Sequence, residues 1–213
     1  MKYELLHLKQ FFPNLGTQSG DPLVKVYLPD NLTEMGRGGE RRPCLIVCPG
    51  GAYEFCSQRE AEPIAFHFLP EGFNVFVLLY SVAPHHYPAQ QCEAAALIEL
   101  INQNADIWHC DTGRIVLMGF SAGGHLAAQY ATSYDSSTIR TVIPNSKPVQ
   151  ATVLGYPVIT ADPKWTHQIS MTALTGKAHV HQRTFIYFLV RSTFVQIRRQ
   201  PFYGILRKMN ASR

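Results

Sequence analysis

The chain has 213 residues, of which 46% are hydrophobic and 16% are charged, a length and composition typical of one globular domain. No apolar run approaches the roughly 20 residues of a membrane-spanning helix, and the first residues do not resemble a secretion signal, so we expect a cytoplasmic protein without membrane contact. The five cysteines fit no zinc or disulfide pattern, and no metal or cofactor is expected.

The net charge of +4 is unevenly distributed along the chain. All 15 Asp and Glu residues lie at or before Asp162, whereas residues 163–213 contain nine Lys and Arg residues and no acidic one. A folded surface normally mixes both signs. A basic tail can bind nucleic acid, but this one interleaves its charges with apolar stretches such as TFIYFLV and QPFYGIL. We therefore expect no nucleic-acid partner and regard the C-terminal segment as abnormal.

The hydrophobic pattern predicts strands that alternate with helices. In chain order, we expect a strand at 23–28, a strand within 43–51, a helix at 59–69, a strand at 73–80, a helix at 90–104, a strand at 113–120, a helix at 122–133 and a strand with a loop at 151–160. The polar, glycine-rich segment at 31–42 is expected to be a hairpin connection. This alternation indicates an α/β fold with a mostly parallel sheet and helices on both faces.

The segment VLMGFSAGGHLAAQYA at 116–131 is typical of a strand, a sharp turn and a helix. At the turn, Gly119, Ser121 and Gly123 form the pattern G-x-S-x-G, which lifts a nucleophilic serine above an α/β-hydrolase sheet. Small residues are needed there because strand and helix pass close together around a strained serine. We therefore predict that Ser121 is a nucleophile for acyl transfer. The alternative is a strand–helix turn without chemistry.

A second glycine-rich turn, PGGAY at 49–53, follows the buried strand CLIV. Acyl transfer creates an oxyanion, which backbone N–H groups stabilise, and the fold keeps its oxyanion loop at this position. The predicted donors are the amides of Gly51, Ala52 and Ala122, with Gly50 supporting the motif. Nucleotide binding is disfavoured because neither G-K-[ST] nor a full G-x-G-x-x-G occurs. A plain turn is the alternative.

Several other residues near these motifs are candidates for lesser roles. His125 lies one helical turn beyond Ser121, and we interpret it as a residue that packs under the site or supports it from behind; the alternative, a triad base, is disfavoured because such a base approaches from a different loop. His85 and His86 lie in a proline-rich loop and, with Tyr53, are candidates for lining the substrate pocket. The alternative for both loop histidines is simple exposure to solvent.

The histidine base of a catalytic triad cannot be assigned. His167, His179 and His181 are candidates, but none follows a plausible acid at the end of a strand. Asp162 is the one acid left nearby. The nucleophile is therefore predicted without its two partners.

Together, CPGGAYEFCSQREAEPIAFHF, GFNVFVLLYSVAPHHYPAQ, VLMGFSAGGHLAA and GYPVIT resemble the esterase/lipase branch of the α/β hydrolases. More narrowly, they resemble carbohydrate esterases related to acetyl-xylan and feruloyl esterases, over about residues 22–176. The resemblance implies that Ser121 is the nucleophile and that Gly51, Ala52 and Ala122 surround the oxyanion hole. Ala52 stands where this branch often carries a third glycine, which stiffens the loop but keeps the amide donor.

The resemblance also implies a strand, an acid in a pattern like W-H-T-A-x-D-x-x-V-P, a helix and a final histidine loop, none of which follows here. We expect an incomplete α/β-hydrolase domain at 1–181, lacking the last strands and helices, and an aberrant basic tail at 182–213. Back-translation of residues 196–213, read in a shifted frame, permits DTPPTFLWHTAEDECVP, which matches the acid pattern. We hypothesise an out-of-frame segment; the alternative is a divergent basic tail.

The predicted activity is hydrolysis of a small acyl ester, of acetyl type, on a small molecule or an oligosaccharide. With no acid or histidine assigned, we expect little or no turnover. The alternatives are a non-catalytic, truncated hydrolase-like protein and a serine peptidase of the same fold. The peptidase is disfavoured because no propeller-like repeats precede the elbow. The sequence makes no prediction of oligomeric state.

The frame hypothesis predicts the result of reading the gene. Nucleotide sequence from codon 175 onwards should continue the acid and histidine pattern in a different frame from the one translated here. A gene with no such continuation downstream of codon 181 would refute the hypothesis.

Overall fold

The computed structural model describes residues 1–177. Its strands are β1 Lys2–His7, β2 Leu23–Leu28, β3 Arg42–Cys48, β4 Asn74–Leu79, β5 Cys110–Phe120 and β6 Ala151–Gly155. Its α-helices are α1 Leu8–Phe11, α2 Glu62–Phe68, α3 Ala89–Gln103, α4 Ala122–Ser133, α5 Ser137–Val142 and α6 Gln168–Thr175. The expected boundary at 181, the tail at 182–213, and His179 and His181 lie outside the described residues.

The described strands form one sheet in the order β1-β2-β4-β3-β5-β6. The pairs β1/β2 and β2/β4 are antiparallel, and the pairs β4/β3, β3/β5 and β5/β6 are parallel. The predicted mostly parallel sheet is thus confirmed. Because parallel strands end at the same edge, the turns that follow β3, β5 and β6 meet at one edge.

Helices cover both faces of this sheet, as predicted. In β3, alternate side chains point to opposite faces because the side-chain period of a strand is two. Leu45 and Val47 pack on the side of α2, whereas Cys44, Ile46 and Cys48 pack on the side of α3 and α4. All of β3 is buried, which explains its continuous apolar run. The five cysteines are free.

The predicted hairpin at 31–42 is wrong. Strand β4 lies between β2 and β3, so this segment connects two strands that are not neighbours. The apolar run of β4 is buried and occupies the central place, which a hairpin between β2 and β3 would close. The segment instead contains a short 3-10 turn at Thr33–Met35, which ends at Gly36 with a φ of 71°.

Several element boundaries also differ from the prediction. The predicted helix at 59–69 begins later, because Gln58–Glu60 form a separate 3-10 turn and Ala61 leaves the helical region. Strand β1 and helices α5 and α6 were not predicted. The predicted helix at 122–133 is confirmed to the residue. Among residues 1–177, no helix has both the length and the apolar character needed to cross a bilayer.

Helix α3 carries a buried carboxylate that orders the loop after β4. Glu93 is 0% exposed; its Oε2 accepts from the Ser81 amide at 2.7 Å, and its Oε1 accepts from the Ser19 hydroxyl. Burial raises the pKa of Glu93 above its ordinary value. In the loop that begins at Ser81, the Ala83 amide donates to the Tyr53 carbonyl at 2.8 Å. The acid therefore orders a loop that contacts the turn at 49–53.

This burial predicts a pH-dependent stability difference between the wild-type chain and Glu93→Gln. Because the pKa of Glu93 is raised in the folded state, folding favours the protonated form. The stability that Glu93 contributes is therefore fully present below its ordinary pKa of 4.5, and is lost as the pH rises from there through the raised pKa of the folded state. Urea unfolding from about pH 4 to about pH 8 should show the glutamine variant gaining stability relative to wild type. A difference that does not change with pH would contradict the assignment.

Candidate active site

Ser121 occupies a strained turn between β5 and α4. Its φ of 51° and ψ of −116° are unfavourable for a residue with a side chain. The turn is held on both sides, because its amide donates to the Gly155 carbonyl at 2.9 Å, and its own carbonyl accepts from the amides of His125 and Val158. The surrounding backbone thus fixes a geometry that Ser121 would not adopt alone.

Two glycines make this turn sterically feasible. A Cβ atom at Gly119 would lie 2.1 Å from the Gly123 carbonyl oxygen, and one at Gly123 would lie 2.1 Å from the Cys48 carbonyl oxygen. No side chain fits at either position. The first turn of α4 therefore packs directly on the end of β3 and beside the Pro49 carbonyl, which begins the segment 49–53, here named the oxyanion loop after its predicted role.

The oxyanion loop has an unusual backbone. Gly51, Ala52 and Tyr53 have φ values of 129°, 57° and 61°, a region that side chains disfavour. Three successive residues of this kind persist only where neighbouring contacts fix them. A Cβ atom at Gly51 would lie 2.0 Å from the Phe55 carbonyl oxygen, so glycine is required there for space as well as for φ.

Hydrogen bonds to its carbonyl groups set the orientation of this loop. The Gly50 carbonyl accepts from the Ser57 amide at 2.8 Å, and the Gly51 carbonyl accepts from the Glu54 amide at 2.9 Å. Within a peptide group, the C=O and the following N–H point in opposite directions. The N–H groups of Gly51 and Ala52 therefore point away from these donors.

The oxyanion loop also contacts the strained serine. A Cβ atom at Gly50 would lie 3.1 Å from the Ser121 Cβ. Ala122 is the first residue of α4, where helical N–H groups have no intrahelical acceptor and the helix dipole favours negative charge. The arrangement can therefore stabilise negative charge on an oxygen bound to Ser121. The roles of the amides of Gly51, Ala52 and Ala122 as donors stay a prediction.

Tyr53 and His125 form a buried pair beneath the loop. Both side chains are 0% exposed, and the Tyr53 hydroxyl lies 2.8 Å from the His125 Nδ1. Burial raises the pKa of Tyr53 well above its ordinary value, so the phenol stays neutral and is joined to His125 by a hydrogen bond. His125 is thus a packing residue, as interpreted from the sequence. Tyr53 packs below the loop and does not line an open pocket, contrary to expectation.

The structure separates the two histidines of the proline-rich loop. His86 lines an open groove of about 720 Å³, between Glu54 of the oxyanion-loop side and the residues of α6. Its Nδ1 lies 2.8 Å from the Ala173 carbonyl and donates to it. The ring of His85 instead packs against Gly20, at 2.9 Å from the place where a Cβ atom would stand. His86 thus lines this groove, and the role of either histidine in a substrate pocket stays a prediction.

Within residues 1–177, no histidine–carboxylate pair is brought to the elbow. A histidine–carboxylate ion pair does occur in this part of the chain, between His7 and Asp21. His7 is the last residue of β1, which three strands separate from β5 and its elbow. Asp162 accepts from the Lys164 amide at 2.9 Å, and the His167 Nδ1 lies 2.8 Å from the Ser170 hydroxyl. Asp162 and His167 thus make local contacts. The described residues also contain no cluster of three metal-ligating side chains.

The parallel sheet, the strained serine and the loop opposite it are those of an α/β hydrolase. The structure is similar to that of MGS-M1, an α/β hydrolase from a Medee basin deep-sea metagenome library, with a TM-score of 0.64 and 34% identity over 78% of this chain and 61% of that one. A sequence profile of the BD-FAE family matches residues 25–204, which include part of the C-terminal segment. The chain belongs to the BD-FAE family.

Two curated relatives are similar to this chain, and one of them is named an esterase. The chain is 30% identical over 173 residues to the acetylxylan esterase of Xylanibacter ruminicola, and the aligned region covers 79% of this chain and 32% of that protein. It is 31% identical over 164 residues to endo-1,4-beta-xylanase B of Butyrivibrio fibrisolvens, and here the aligned region covers 70% of this chain and 24% of that protein. The resemblance to carbohydrate esterases is thus confirmed, and the chain spans about a quarter to a third of these relatives.

The strained elbow predicts a difference between two substitutions of the serine. Both Ser121→Gly and Ser121→Ala remove the hydroxyl, but only glycine tolerates the φ of 51° without strain. We expect the glycine variant to be more stable than the alanine variant by about 1 kcal/mol, after the greater freedom of glycine in the unfolded chain is counted. Urea unfolding of the two proteins measures this. Equal stability would show that the turn relaxes at no cost.

Proposed function

We propose that this chain has the site of a serine ester hydrolase that acts on small acyl esters of carbohydrates, of acetyl type. The observation that carries the proposal is the strained Ser121 facing an oxyanion loop whose peptide groups are held in one orientation. Membership of the BD-FAE family supports ester hydrolysis. The choice of an acetylated carbohydrate is supported by the relative named an acetylxylan esterase.

In the proposed reaction, the Ser121 oxygen attacks the ester carbonyl carbon and its proton passes to a solvent water molecule. The carbonyl oxygen becomes an oxyanion, which the amides of Gly51, Ala52 and Ala122 stabilise. Collapse of this intermediate breaks the bond to the alkoxy oxygen, which takes a proton from solvent and departs as the alcohol, and an acyl group stays on Ser121. Water then attacks the acyl-enzyme, releases the acid and returns the proton to Ser121.

We further propose that turnover by this 213-residue chain is slow. After Ser121 the sequence contains only two acidic residues, Asp135 and Asp162, and Asp162 makes local backbone contacts. A serine without an activating pair retains the contribution of the oxyanion hole and of binding. That contribution is worth about 10³–10⁴ over the reaction in water when triad residues are removed from serine proteases.

The proposal is tested by following acylation. The purified chain is incubated with a fluorophosphonate probe, or with p-nitrophenyl acetate, and the modified residue is located by mass spectrometry. We expect modification at Ser121, no modification of Ser121→Ala, and normal modification of Ser133→Ala, a control at the far end of α4. Acetate release from an acetylated xylo-oligosaccharide should be measurable but slow.

Each of the remaining outcomes points to an alternative. If Ser121 reacts no faster than other serines in a correctly folded chain, the protein is a non-catalytic, hydrolase-like remnant. If the chain cleaves an amide analogue faster than the matching ester, it is a peptidase. Ester hydrolysis at ordinary esterase rates would support the assignment of Ser121 and refute slow turnover.

A further inference from the structure

One carboxylate joins the oxyanion loop to the segment that supports Ser121. Glu60 Oε2 accepts from the Gly50 amide at 2.8 Å, and its Oε1 accepts from the Tyr156 hydroxyl. Tyr156 directly follows Gly155, whose carbonyl accepts from the Ser121 amide. Glu60 therefore links the oxyanion loop to the segment after β6, which is hydrogen-bonded to Ser121.

The packing around Gly50 leaves no slack in this arrangement. A Cβ atom at Gly50 would lie 2.6 Å from Glu60 Oε2, 3.0 Å from the Phe120 carbonyl oxygen and 3.1 Å from the Ser121 Cβ. The carboxylate, the loop and the nucleophilic turn thus meet at a single backbone position. A shift of Gly50 would therefore change the positions of the carboxylate, the loop and the nucleophilic turn relative to one another.

We propose that Glu60 is a positioning residue that aligns the oxyanion donors with Ser121. The proposal rests on the proposed function. The peptide group between Pro49 and Gly50 is held at both ends, because the Tyr80 hydroxyl donates to its carbonyl at 2.6 Å and Glu60 accepts from its N–H. The next two peptide groups carry the N–H groups of Gly51 and Ala52. Because the Pro49–Gly50 peptide plane is fixed, the directions of these two N–H groups are fixed as well.

The choice of a carboxylate fits this role in spite of its charge. A negative charge near a developing oxyanion is unfavourable, but both oxygens of Glu60 accept hydrogen bonds, which partly neutralise it. Charge-assisted hydrogen bonds are also roughly twice as strong as neutral ones, so the Gly50 amide is held firmly. The bond to Glu60 keeps that amide away from the substrate and leaves the amides of Gly51 and Ala52 as donors.

The test compares Glu60→Ala with Glu60→Gln. Alanine removes the acceptor, whereas glutamine can keep an acceptor for Gly50 and can donate to the Tyr156 oxygen. In acylation by p-nitrophenyl acetate, we expect alanine to lower the rate constant at saturation about 100-fold, with KM changed less than about twofold, because donors misaligned by about 1 Å cost this much. Glutamine should recover the rate to within about tenfold of wild type.

Glu62→Ala is the matched control. Glu62 lies two residues after Glu60 and accepts hydrogen bonds from Lys25 and Tyr27 of β2 instead of from Gly50 and Tyr156. It should acylate at the wild-type rate. If Glu60→Ala does not fold, Tyr156→Phe removes only one hydroxyl and should slow acylation several-fold with an unchanged KM. Wild-type acylation by a folded Glu60→Ala variant, or by Tyr156→Phe where Glu60→Ala does not fold, would overturn the proposal, and so would a change in KM alone.

Amide hydrogen exchange separates this proposal from the proposed function. In Glu60→Ala, the Gly50 amide should exchange at least about tenfold faster than in wild type, whereas the amides of α3 should not change. If the wild-type chain is never acylated, the assignment of Ser121 fails, and exchange alone decides the role of Glu60. Faster exchange at Gly50 would then support the positioning contact, and unchanged exchange would overturn it.

Discussion

The structure of the site depends on one contact between two backbones. The first turn of α4 packs on the end of β3 at Gly123, which would bring any added Cβ atom within 2.1 Å of the Cys48 carbonyl oxygen. Because no side chain separates the two elements, the helix N-terminus stands next to the oxyanion loop. The absence of a Cβ atom at Gly123 thus allows the N-terminal turn of α4, with Ser121 before it, to lie close to the loop. Core packing elsewhere supports this contact but does not create it.

Strain at the site is balanced by contacts from several directions. Ser121, Ala52 and Tyr53 all have positive φ values, each of which costs about 1–3 kcal/mol. The fixing contacts come from the Gly155 carbonyl, from the loop ordered by Glu93 and from the Tyr53–His125 pair. A site that stores strain in this way is preorganised, because little rearrangement is left for the moment when charge develops.

The sequence predicted the central sheet and the elbow, but not their surroundings. Helix α4 and the buried strands have strong periodic or apolar patterns that local physics dictates. Strand β1 lies at an edge, where burial is partial and the pattern is weak. The path of 31–42 depends on strand order, which no local signal encodes, and α5 has only six residues. The burial of Tyr53 and the bonds of Glu60 depend on a positive-φ loop that the sequence PGGAY indicates only in its first residues.

The geometry of the elbow separates two kinds of evolutionary constraint. Gly119 and Gly123 are required by packing, so any copy of this domain that still folds must retain them. The Ser121 hydroxyl is required only by the proposed chemistry, because the φ of 51° at this position is more favourable for glycine than for serine. A lineage released from catalysis would therefore lose the serine long before it lost the flanking glycines. Among folded copies of this domain, loss of the serine with both glycines retained would therefore mark the loss of the proposed chemistry and not of the fold.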